Sequence, residues 1–192
     1  DLGRVEGYRN FCNKLWNAAR FVLMNTEPHA ADTAAGESAL SVADRWIRAR
    51  LGAAVHEVRR ALEAYRFDLA AQAAYEFVWY EFCDWYLEIA KASLQSPESS
   101  PEAKRGARRT LAEVLEATLR LLHPLMPFIT EEIWQRAAPL AGRTGPSVML
   151  EPYPRAADFP ADPDADRQVA AFKAVVLGIR QIRGELDVPH SR

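Results

Sequence analysis

LSVADRWIRARLGAAVHEVRRALEAY, residues 40–65, decides the fold class. Its apolar positions Leu40, Ala43, Ile47, Leu51, Ala54, Val58, Leu62 and Tyr65 step by three and four, the period of a helix with one dry face. A strand would need alternation with period two, which is absent. Ser41 with Asp44 has the spacing of a capping box, with Ser38 as an alternative cap, so a helix is expected over 38–65.

The same period extends in both directions. Upstream, Tyr8, Phe11, Cys12, Leu15, Ala19 and Val22 mark a helix over 4–25, followed by a polar loop at 26–37. Downstream, Phe67-Asp68 reads as a break, with Asp68 capping a helix over 68–94. That helix holds YEFVWYEFCDWY, whose rings are too many for one buried stripe, so some must face a second side or a partner. Further helices are expected over 101–122 and from Thr130 or Pro127 to Ala138, separated by HPLMPF, whose prolines cannot continue a helix. SVMLEPYP (147–154) reads as one short strand. An acidic linker and a last helix over 164–185 follow, with Val169, Phe172, Val176, Ile179 and Ile182 on its inward side. The expectation is an all-α fold: a helical bundle over 1–146, then a small C-terminal appendage over 147–192.

The chain of 192 residues is 49% hydrophobic and 26% charged, with a net charge of −2, which excludes a generic polyanion binder. The charge is uneven. Arg4, Arg9, Lys14 and Arg20 outweigh Asp1 and Glu6 in the first helix, and six arginines outweigh three acids over 42–66. An anionic partner should approach these two helices. Cys12 and Cys83 sit in helical apolar patterns and read as reduced core residues. No metal-ligand spacing, signal peptide or long apolar run appears, which points to the cytoplasm.

Catalytic motifs are absent as well. There is no glycine-rich phosphate loop and no GxSxG, and His29, His56, His123 and His190 are scattered. His123, before Pro124, reads as a packed or capping residue. The unusual stretch is RNFCNKLWNAARF (9–21), with three asparagines in a helix where Asn is a poor interior residue. At 100° per residue from Tyr8, its apolar set falls between about 300° and 40°. Arg9, Asn13, Trp16, Asn17 and Arg20 fall between about 80° and 180°, with Lys14 just beyond. Amides to pair base edges, guanidinium groups for phosphates and rings for stacking are the tools for reading unpaired bases. Spacing alone favours a plainer reading, in which the asparagines satisfy helix ends in the bundle and the arginines are a solvated rim.

Three blocks in order carry a resemblance: GYRNFCNKLWNAARFV (7–22), FVWYEFCDWYLEIAK (77–91) and LLHPLMPFITEEIWQ (121–135). They resemble the anticodon-binding domain of the valyl-tRNA synthetases, class I ligases. NKLWNA points to the valyl branch, whereas HPLMPFITEEIW is shared with isoleucyl and leucyl relatives. The resemblance implies a tRNA-recognition module of an enzyme that joins valine to tRNA(Val) with ATP and Mg²⁺, or alternatively an isoleucyl counterpart or a purely structural spacer. Catalysis would belong to a Rossmann domain with HIGH-like and KMSKS-like motifs. Neither motif is here, and Lys14, Lys91, Lys104 and Lys173 lie in no such setting. No cofactor or metal is therefore expected in this piece. Its partners would be tRNA(Val) and the catalytic and coiled-coil domains of the same chain, in a monomer away from membranes. By resemblance, Asn17 and Arg20 match an anticodon-contacting pair and Trp85 falls near a stacking tryptophan. Arg9, Asn13 and Lys14 join them through the stripe.

Overall fold

The computed structural model describes residues 2–187, without the side chains of Leu2, Arg4 and Val5; His190 lies outside the described residues. The elements are α1 (Leu2–Thr26), α2 (Ala30–Ala35), α3 (Val42–Glu63), α4 (Phe67–Glu76), α5 (Leu87–Gln95), α6 (Pro101–Leu122), α7 (Pro127–Ala137) and α8 (Pro163–Glu185). A π-helical stretch, Phe77–Tyr86, joins α4 to α5 with helical backbone at both junctions, so 67–95 is one aromatic rod. The all-α expectation is met: no strand forms among the described residues.

α3 runs antiparallel to the rod, with Arg50 opposite Glu81 and Asp44 opposite Tyr86. α1 runs parallel to it, with Phe11 against Tyr75 and Lys14 against Asp84. α6 packs on both α1 and α3. Leu15, Ile47, Leu51, Phe82, Leu111 and Leu115 are fully buried where these helices meet. Each such side chain contributes about 1.5–3 kcal/mol by leaving water.

The capping box at Ser41 and Asp44 forms in both directions, so Ser41, not Ser38, is the cap. Asp44 is buried and also accepts from the Tyr86 hydroxyl at 2.6 Å, tying the start of α3 to the rod's core. Burial beside this carboxylate pushes the Tyr86 hydroxyl well above the ordinary tyrosine range. Glu116, also buried, accepts from Arg120 and from the Trp134 indole at 2.8 and 2.9 Å, which locks α7 onto α6. His123 bonds Thr130 through Nδ1 at 2.8 Å across the proline break.

Five expectations need correction. SVMLEPYP is a 3-10 turn at Val148–Leu150, not a strand. A lone strand has no ladder partner, and here Ser147 caps the turn while Glu131 accepts from the Val148 amide and the Ser147 hydroxyl. Residues 26–37 are not a plain loop: a 3-10 turn and the alanine-rich α2 occupy 27–35. α3 stops at Glu63, because Tyr65 takes φ 57° and the Arg66 amide bonds back to Ala61, a left-handed helix stop. Asp68 is not a cap; α4 already starts at Phe67, and Arg66 holds the Asp68 carboxylate at 2.7 and 2.9 Å, with its pKa lowered to about 2. In α8 only Ala165 and Val169 are buried. Phe172, Ile179 and Ile182 are about half exposed, because α8 packs on α3 mainly through its first turns and only touches the rod beyond them, at Trp85.

Candidate nucleic-acid interface

The aromatic rod settles where its rings go. In the π stretch the Leu87 amide reaches the carbonyl five residues back, on Phe82. The wider turn brings residues four and five apart into line, so Phe77 stacks on Phe82 and Phe82 on Tyr86, all buried. Turning those three inward leaves Trp79, Asp84, Glu88 and Lys91 along the side that meets α1, and Glu81 and Trp85 along the side that meets α3 and α8.

Between α1 and the rod lies a groove of about 220 Å³, lined by Lys14, Asn17, Phe21, Cys83, Glu88 and Lys91 among others. Lys14 is its best-held group. Its ammonium lies 3.8 Å from the Trp79 ring centroid and donates to Asp84 Oδ1 at 2.5 Å. Lys91 is paired with Glu88 at 3.1 Å and lies 5.9 Å from the Phe21 ring. The floor is apolar: burial pushes the Cys83 thiol up to about 12, despite the neighbouring Lys14 charge. Each lysine thus faces a flat ring and a partly exposed carboxylate, and a phosphate or base edge entering the groove would compete for it.

Besides the groove-lining Asn17, α1 exposes Arg9, Asn13, Trp16 and Arg20. Among the described residues, the one ion pair of Arg9 is with the exposed Glu6, at 3.5 Å. The side chains of Asn13, Asn17 and Arg20 make no hydrogen bond among the described residues. These amides therefore do not satisfy helix ends, and their donors and acceptors are open to a ligand. Asn25, one turn later, shows the contrast: its amide bonds the Phe21 carbonyl at 2.8 Å.

The fold thus places Lys14 and Asn17 in the groove, with Arg9, Asn13 and Arg20 exposed on the same helix. It does not bring Trp85 there. That ring meets Phe172 edge-on at 6.4 Å, and Lys173 and Arg180 of α8 lie 5.2 and 5.6 Å from its centroid. Lys173 is shared with Trp46 at 4.1 Å, so the cluster docks α8 on the bundle. Asp84, Glu88, Lys91 and Phe21 line or edge the groove without having been singled out in the sequence. Only the pairing of α1 with the rod selects them, and nothing in their local spacing does. Among the described residues no group of His, Cys, Asp and Glu could hold a metal ion, and no helix is long and apolar enough to cross a membrane.

Comparison with known proteins gives this geometry its family. Residues 44–192 match the family described as the anticodon-binding domain of tRNA ligase. The valine–tRNA ligase of Legionella pneumophila (strain Lens) is 50% identical over 188 residues, covering 98% of this chain and 20% of that protein. The valine–tRNA ligase of Dechloromonas aromatica (strain RCB) is 53% identical over 199 residues, covering 98% of this chain and 21% of its own length. The chain thus spans about one fifth of the length of the curated relatives it matches. With a helical bundle along its length and this match over most of it, the chain belongs to the anticodon-binding domain family of tRNA ligases.

Proposed function

We propose that the groove and the outer edge of α1 read the anticodon loop of tRNA(Val), as the recognition module of a valine–tRNA ligase. The observation that carries this is the row of unspent polar groups: Asn13, Asn17 and Arg20 are exposed and unbonded beside a ring-lined groove with two lysines. An unpaired base entering the groove meets the Asn17 amide on its edge and the Phe21 ring on its face. Arg9, Arg20, Lys14 and Lys91 meet phosphates, which position the loop without carrying sequence information. The valine and ATP chemistry, with its Mg²⁺, belongs to the ligase's catalytic domain, and the reading carries with it a cytoplasmic monomer. Trp85 serves this face indirectly, by holding α8.

The test is chemical-shift mapping with an anticodon stem-loop, together with Arg20→Ala and Asn17→Ala. Shifts concentrated on residues 9–21 and 83–91 are expected. Each variant should bind about tenfold more weakly, one charge-assisted hydrogen bond or base contact, with an unchanged melting temperature. An absence of shifts on these residues would make the bundle a spacer. A preference for an isoleucine stem-loop would move the assignment to the isoleucyl branch.

A further inference from the structure

A second polar site lies on another part of the bundle. The end of α1, α2, the middle of α6 and the turn after α7 enclose a cavity of about 590 Å³. That size falls within the range of small-molecule sites. Four guanidinium groups line it, from Arg108, Arg109, Arg120 and Arg143, against the carboxylates of Glu113, Glu116 and Asp158. Most of these charges are already matched. Glu116 takes Arg120, Glu151 takes Arg143 at 3.2 Å, Glu113 pairs with Arg48, and Asp158 pairs with Arg155.

Arg108 and Arg109 are the exceptions. Arg109 bonds the Thr33 and Gly36 carbonyls and the Ser38 hydroxyl and, among the described residues, reaches no carboxylate. The nearest carboxylate to Arg108 is Asp32 at 4.0 Å, which already accepts from Arg105 at 3.3 Å. The Arg108 Nε–H is buried with no acceptor, and the Thr33 hydroxyl beside the same cavity is buried with no partner. A buried guanidinium N–H without an acceptor is costly and uncommon, and here two such buried polar groups belong to residues that line one polar cavity. We propose that this cavity is an oxyanion site, taking one phosphate group between the Arg108 Nε–H, the Arg109 guanidinium and the Thr33 hydroxyl. Arginine forks suit a phosphate, and one unmatched positive charge suits a single anionic group. The phosphate could be that of a free ester or a phosphodiester of bound RNA; the recognising chemistry is the same.

The experiment follows the arginine Nε–Hε resonances of the chain by NMR during titration with inorganic phosphate at constant ionic strength, and in parallel with an anticodon stem-loop. The Arg108 and Arg109 resonances should move saturably, while Arg59 and Arg60 on the exposed side of α3 should not move with inorganic phosphate. Saturation by inorganic phosphate identifies a free ligand; saturation by the stem-loop alone identifies an RNA phosphodiester. Arg109→Gln should weaken binding about tenfold. Thr33→Val, which leaves the guanidinium network intact, should weaken it by a smaller factor. No saturable shift at Arg108 with either titrant, or equal affinity in wild type and both variants, would overturn the proposal.

Discussion

Asp84 is the residue whose replacement tests the groove most directly. Lys14 is the cation best placed to meet a phosphate there, yet its ammonium is held by Asp84 at 2.5 Å. A phosphate oxygen bonded to the free side of that ammonium would lie about 5 Å from the Asp84 carboxylate. Their repulsion is about 0.8 kcal/mol at the dielectric of water and about 3 kcal/mol at an effective dielectric of 20. Asp84→Asn removes this repulsion and frees Lys14, so RNA should bind at least about fourfold more tightly. The pair itself is partly exposed, with side-chain accessibilities of 24% and 42%, so its loss should cost about 0.2–1 kcal/mol of stability. Fluorescence anisotropy with a labelled stem-loop at several salt concentrations measures both affinity and slope. The gain should shrink as added salt screens the Asp84–phosphate repulsion. Weaker or equal binding by the variant at low salt would refute the reasoning, because Asp84 would then contact the RNA itself or not bear on it.

Two further outcomes concern the scaffold. Glu116→Gln leaves the buried Arg120 without its counter-charge and should destabilise the bundle by about 3–5 kcal/mol. At about 2–4 °C per kcal/mol for a domain of this size, thermal denaturation should shift by roughly 6–20 °C; a shift of under about 2 °C would show that the cluster is not a stabilising unit. Cys83 should resist alkylation at pH 9, because burial holds its thiol up to about 12, and mass spectrometry of the modified chain reads this directly. The sign for stability follows: with an ordinary pKa of 9.0, the unfolded chain releases this proton first. The contribution is therefore complete below pH about 9 and is lost as pH rises toward about 12.

Part of the candidate groove is legible in the sequence, and what is hidden has a physical cause. Arg9, Asn13, Asn17 and Arg20 share a stripe because they lie on one helix, where position follows from residue number alone. The same count puts Lys14 just beyond that stripe, but its tie to Asp84 across seventy residues is not readable from it. Trp85 looked equivalent to its aromatic neighbours, and only the π-helical widening, which shifts each ring's azimuth, sends it toward α8 rather than α1.

The helices themselves were determined locally. Periods of three and four, the Ser41–Asp44 box and the prolines at 101, 124 and 127 act within a turn or two, so the sequence by itself specified an all-α bundle and most helix limits. Residues 147–154 failed that test, because a strand needs a partner edge, and the fold supplied Glu131 instead. The apolar face of α8 was equally clear in the sequence, yet its far half is exposed, since periodicity shows which face is dry but not whether anything covers it. Which helix lies beside α1, and hence which lysines, carboxylates and rings form the groove, was decided by packing between segments far apart in the chain. Such contacts depend on the shapes of whole buried faces, and no local pattern of residues encodes them.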